Sequence, residues 1–103
     1  MNILAFPMPA SRALELIREA AAHERVIFPA QEDESPWYRL VTRRQAMQCL
    51  REGELTEPPV INAQGDVECQ MAHFSAGVNV RLWVALKDMG GWTALIIKVE
   101  NKL

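Results

Sequence analysis

Val78-Asn79-Val80-Arg81-Leu82-Trp83-Val84-Ala85-Leu86-Lys87, written VNVRLWVALK, carries an aliphatic residue at every second position. Side chains of a β-strand alternate between two faces, so Val78, Val80, Leu82, Val84 and Leu86 fall on one side and Asn79, Arg81, Trp83, Ala85 and Lys87 on the other. A strand of this kind belongs to a sheet covered on one face and open on the other. The same period runs back through Val67, Cys69 and Met71, which alternate with Glu68, Gln70 and Ala72. It runs forward from Trp92 to Glu100, where the spacing predicts Thr93, Leu95, Ile97 and Val99 on the buried face.

The material between these runs is compact: Ala63-Gln64-Gly65-Asp66, Ser75-Ala76-Gly77 and Asp88-Met89-Gly90-Gly91. Each supplies a glycine for positive φ, so each reads as a tight turn. Consecutive strands joined by short turns are antiparallel neighbours. The C-terminal half is therefore expected to be a meander of three or four strands.

The N-terminal half has a helical period. Ala10, Ala13, Leu14, Ile17, Ala20 and Ala21 recur at three and four residues, an apolar stripe on one helix, with Ser11 or a neighbour as its cap and Arg12, Glu15, Arg18 and Glu19 in solvent. His23 falls at its C-terminal end, where a cation suits the helix dipole. Val26-Ile27-Phe28 is a short extended run stopped by Pro29. Thr42 and Gln45 stand at the two ends of a T-x-x-Q capping box, Val41 and Ala46 at the staple positions, Met47 and Leu50 on the apolar face, and Gly53 where a left-handed C-terminal cap is expected. Two helices need an apolar surface, and the alternating sheet offers one. The fold class is therefore α+β, two-layer, with N-terminal helices packed on a three- to four-stranded antiparallel sheet, and residues 1–103 form a single domain.

Composition narrows function. Half of the residues are hydrophobic and 23% are charged, a globular balance with enough apolar material for a core. The formal charge of −2 argues against a surface built throughout for nucleic acid, which requires clustered Lys and Arg. The opening MNILAFPMPA has no early cation and is broken by Pro7 and Pro9, so no secretory signal is expected, and no apolar run approaches the ~20 residues of a membrane span. A cytoplasmic location is the expectation. Cys49 and Cys69 are expected to be reduced and buried, and with no CxxC or acid and histidine cluster neither a metal nor another cofactor is expected.

The order of segments VIF, VTRRQAMQCLREG, ELTEPP, GDVEC, SAGVNVRLWVAL and WTALIIKVE, running from Val26 to Glu100, resembles a family of small bacterial proteins filed as domain of unknown function 4258. That family's pattern has a strand ending in Phe, then H-A-x-x-R-M-x-x-R-x-I-T-x-x-Q-V-x-x-C-L-x-x-G, then E-x-P, G-x-W-x-C, an A-G turn, V-A-L and a final apolar strand. The resemblance implies a ribonuclease scaffold of the RelE and barnase type, on which many toxins of toxin-antitoxin pairs are built. With Phe28 and Thr42 aligned, Gln31 falls where the family has its histidine and Ser35 where it has the first arginine, while Arg39 matches the second. Val67 stands at the Trp position, His73 where a basic residue is usual, and Glu100 where a terminal aromatic often sits.

Cleavage of RNA on such a scaffold uses a base for the 2′-hydroxyl, an acid for the leaving oxygen and cations for the phosphorane charge. Gln31 exchanges no proton near neutral pH, and Glu32, Asp33 and Glu34 repel phosphate. Pro36 implies that the helix expected here is shortened or starts late. Two readings follow. The first is a non-catalytic binding or protein-interaction module with a degenerate active site; the second is a ribonuclease toxin, metal-independent, in which His73, Arg39 and Arg81 take the acid-base and phosphate roles. The absent histidine, the acidic segment and the net charge favour the first.

His73 has the titration range for acid-base work, with an unperturbed pKa of about 6.5, or it is a solvent-facing residue near a turn. Arg43 and Arg44 sit in the first turn of their helix, where cations are disfavoured, so they answer to a phosphate or to Glu32–Glu34. Arg81 and Trp83 share a face, joined by Trp92 and Lys98 if the strand registers agree. Such a surface either stacks RNA bases or packs on a protein partner, of which a second copy in a homodimer is preferred.

Overall fold

A computed structural model of the chain describes residues 8–29, 41–75 and 77–101. The stretch 30–40, with Gln31, the acidic run, Pro36 and Arg39, lies outside the described residues.

Helix α1 (Ala10–Ala22) buries Ala13, Leu16, Ile17, Ala20 and Ala21. Leu16 completes the stripe and Ala10 is exposed, so the apolar face is rotated slightly from the one the spacing predicted. Ser11 does not cap the helix. Its N-cap is Pro9, extended at φ −57° and ψ 144°, with no side-chain hydrogen bond. At the other end His23 is the C-cap, and Glu24 turns left-handed at φ 56°. The Glu24 amide donates to Ala21 O at 3.1 Å and the Arg25 amide to Ala20 O at 2.8 Å, the paired bonds of a Schellman motif with glutamate at the position usually held by glycine.

Strand β1 (Val26–Ile27) follows, then helix α2 (Arg43–Glu52). The capping box forms as read: the Gln45 amide donates to Thr42 Oγ1 at 3.0 Å, and the Thr42 amide to Gln45 Oε1 at 2.9 Å. Val41 and Ala46 are buried at the staple positions. Gly53 differs from expectation. It is extended, at φ −75° and ψ 179°, and its lack of a side chain serves close approach instead: a Cβ there would lie 2.5 Å from Cys49 O and 2.8 Å from Ala72 O.

Arg18 was expected in solvent and instead reaches across to α2. Its guanidinium donates to Gly53 O at 2.9 Å, to Leu50 O at 3.4 Å and to Arg51 O. The last carbonyls of a helix have no partner within it, and this arginine supplies one while tying the two helices together.

The sheet is larger than predicted. Strands β2 (Glu54–Leu55), β3 (Val60–Ile61), β4 (Val67–Ser75), β5 (Val78–Asp88) and β6 (Trp92–Asn101) join β1 in six strands of order β1-β6-β5-β4-β2, with β3 also on β4. The three long strands are the expected antiparallel meander. The two-residue strands are too short to show a period, and β1 pairs parallel to β6, Val26 with Ala94 and Ile27 with Leu95.

Register in β6 overturns one reading. Trp83 pairs with Lys98 but Val84 pairs with Ile96, so Ile97 is an extra residue in a β-bulge. Trp92, Ala94 and Ile96 face the helices before the bulge and Val99 after it. Thr93 and Leu95 lie on the opposite face, and Ile97 is exposed. One inserted residue exchanges the faces of a strand, which strict alternation does not anticipate.

Leu16, Ile17, Leu50, Met71, Leu82, Val84 and Leu86 form the centre of the core between the helices and one face of the sheet. Cys49 and Cys69 are free thiols within it. No described helix is long and apolar enough to cross a membrane.

Candidate functional site

Residues paired across antiparallel strands project to the same side, so the registers define the face away from the helices row by row. Glu54, Ala72, Arg81 and Glu100 form one row, and Gln70, Trp83 and Lys98 the next. Val60, Glu68, Ala85, Leu95 and Ile27 form a third. Phe74 opposite Asn79 ends the face at one side, and Lys87 opposite Thr93 at the other.

Trp83 and Lys98 interact directly, the ammonium lying 4.6 Å from the ring centroid. A cation over an indole at a partly exposed site contributes roughly 0.5–1 kcal/mol and holds both side chains. Lys98 also lies 3.9 Å from Glu100, and Lys87 lies 3.6 Å from Asp66. Gln70 Nε2 donates to Glu57 Oε2 at 3.3 Å, which brings the Glu57 carboxylate onto this face, and Asn62 Nδ2 donates to Glu68 Oε1 at 3.4 Å. Arg81 Nε is buried without a hydrogen-bond acceptor among the described residues. Apolar groups stand open around these charges: Phe74 is 69% exposed, Val60 54% and Ile27 47%.

The other residues predicted for a site are divided by the sheet. His73 pairs with Val80, which pairs with Asn101, so all three lie on the helix side, opposite Arg81. His73 and Arg81 therefore do not share a surface. Arg39, the third member of that set, lies outside the described residues. Trp92 pairs with Asp88 and packs partly buried against the core, so it leaves the predicted Arg-Trp-Lys surface to Arg81, Trp83 and Lys98.

Arg43 lies with its guanidinium 4.4 Å from the Phe28 ring centroid. Stacking on an aromatic ring gives this first-turn cation a partner that neither earlier reading contained. Arg44 is exposed.

Burial pushes the Cys49 thiol up to about 12 despite the nearby Arg18 charge, and burial, aided by Glu68, pushes Cys69 up to about 11. Neither supplies a thiolate nucleophile near neutral pH. Among the described residues no group of three His, Cys, Asp or Glu side chains is arranged to hold a metal ion.

The acidic members of the open face, Glu54, Glu57 and Glu68, were not singled out from the sequence. Glu68 stands on the off-core positions of its strand, and that alternation was the available signal. Glu54 and Glu57 belong to short segments without a period, and only the pairing with β4 brings them to this face. Comparison of the chain with family models, curated proteins and solved structures finds no match.

Proposed function

We propose that the protein is a non-catalytic protein-binding module that works through the helix-free face of its sheet, centred on Trp83. The observation that carries this reading is the Trp83–Lys98 pair beside Arg81, set among exposed Phe74, Val60 and Ile27, on a face that neither helix covers. Aromatic and arginine side chains within an apolar patch are what protein interfaces concentrate. The resemblance of the sequence segments to a family with a RelE and barnase type of scaffold, with Gln31 at the position of that family's histidine, supports a scaffold whose catalytic function is lost.

The ribonuclease reading has less support. It asks His73 and Arg81 to act on one phosphate, and the sheet lies between them. RNA binding without cleavage is also disfavoured, because Arg81, Lys87 and Lys98 share the face with Glu54, Glu57, Glu68 and Glu100, and a phosphate backbone requires a positive field. The cellular setting under this reading is the reducing cytoplasm, in keeping with two free buried thiols.

The test pairs induction in a bacterial host with incubation of purified protein and single-stranded RNA. Unaffected growth and intact RNA are expected. Growth arrest with RNA cleavage, both lost in His73→Ala, would overturn the proposal.

A further inference from the structure

Three carboxylates on the helix-free face have no cation beside them among the described residues. Glu54 stands in the Ala72 row, Glu57 is held in the Gln70 row by the Gln70 amide, and Glu68 occupies the next, so the three follow one another along β4. The bonds that Glu57 and Glu68 accept come from the neutral amides of Gln70 and Asn62 and leave their charge in place. The lysines of the face are engaged elsewhere, Lys98 with Trp83 and Glu100, and Lys87 with Asp66. Arg81 stands two strands from Glu54, with Ala72 between, and does not pair with it. One flank of the face is therefore left negative, and beside it runs an apolar strip of Trp83, Ala85, Leu95 and Ile27.

From this pattern we infer that the face takes an amphipathic helix of a protein partner, with Lys or Arg along one flank and an apolar underside. The inference rests on the reading of this face as a binding surface. A lone extended segment laid on a sheet face leaves its own N–H and C=O groups unpaired, whereas a helix satisfies them internally. Successive rows along β4 are about 7 Å apart, and helix residues four apart rise about 6 Å. Cations at i, i+4 and i+8 of a helix lying along the strands therefore meet Glu54, Glu57 and Glu68 in turn. The apolar underside rests on Trp83, Ala85 and Leu95, as amphipathic helices rest on apolar grooves. The same face of a second copy offers the acidic flank only lysines that are already paired.

The test is fluorescence anisotropy of a labelled helical peptide, with lysines at i, i+4 and i+8 on one flank and leucines beneath, titrated with the full chain. It is expected to bind about tenfold or more tightly than the same peptide with glutamate for lysine, and to weaken as salt is raised. The triple variant Glu54→Gln/Glu57→Gln/Glu68→Gln, which removes charge and keeps shape, and Trp83→Ala are each expected to weaken binding about tenfold. Glu19→Gln, at an exposed position of α1, should leave it unchanged, which separates this face from general attraction of a polycation to an acidic chain. A lysine peptide that binds no better than its glutamate counterpart, or that is indifferent to the triple variant, would overturn the inference. So would a chain that dimerises in sedimentation equilibrium and loses the dimer in Trp83→Ala. In each of these cases, crosslinks from a photoreactive residue at Phe74 that Trp83→Ala removes would leave the binding-face reading standing, and only the choice of occupant fails. Without such crosslinks, both fail.

Discussion

Lys98 lies over the indole of Trp83, 4.6 Å from its centroid, across the β5–β6 pair and one position past the bulge at Ile97. Without the extra residue Lys98 would turn to the helix side, where it would meet the core. The bulge therefore delivers the cation to the tryptophan. Lys98→Met keeps the apolar stem and removes the charge, so the fold should lose no more than about 1 kcal/mol in urea denaturation. Association through the face should fall several-fold, measured in the same buffer.

Arg18 holds the end of α2 from outside. Its bonds to Gly53 O and Leu50 O join two helices whose sequences share no pattern that announces the contact. Charged donors to partly buried carbonyls contribute roughly 1.5–3 kcal/mol. Arg18→Ala is expected to cost about 2 kcal/mol, with the amides of the last α2 turn losing hydrogen-exchange protection first. Arg12→Ala, which removes only an exposed pair with Glu15, should fall within about 0.5 kcal/mol of wild type.

Gly53 fits a gap with no room for a methyl group. A Cβ would press on the Cys49 and Ala72 carbonyls, both backbone, so neither neighbour gives way without moving α2 or β4. Gly53→Ala is expected to destabilise by about 2 kcal/mol or more in thermal or urea unfolding. Gly65→Ala meets no atom but holds φ 84°, and is expected to cost about 1 kcal/mol through backbone strain alone.

The two thiols set the alkaline limit of stability. Folding raises Cys49 from 9.0 to about 12 and Cys69 from 9.0 to about 11, so the folded state favours the neutral form. Their contribution is complete below pH 9.0, where the unfolded chain also keeps its protons, and is lost as pH rises through the folded values. Stability should fall by about 1.4 kcal/mol per pH unit for each thiol in that window. The double variant Cys49→Ala/Cys69→Ala, less stable at neutral pH, should show a flatter alkaline limb. Both cysteines should resist alkylation until the protein unfolds.

How much of this was legible in the sequence depends on whether a local pattern decided it. The capping box at Thr42 and Gln45 and the alternation of β4 and β5 are local, and they read correctly. The faces of β6 did not, because one bulged residue is invisible to a period of two. β1 and β2 are defined by partners distant in sequence and β3 is too short to show a period, so their place in the sheet, and with it that of Glu54 and Glu57 on the open face, came only with the fold. Gly53 shows a subtler case: the position called for glycine, but contact with Cys49 and Ala72 was the reason, not left-handed backbone.

The central claim, that the helix-free face of the sheet is the working surface, is met most directly by photo-crosslinking in cells from a benzoyl-phenylalanine residue. Placed at Phe74, exposed on that face, the probe should give discrete protein adducts that disappear when Trp83→Ala is added. Placed at Glu19, exposed on α1, it should give none. Adducts from Glu19 and none from Phe74 would contradict the account and move the binding surface to the helices.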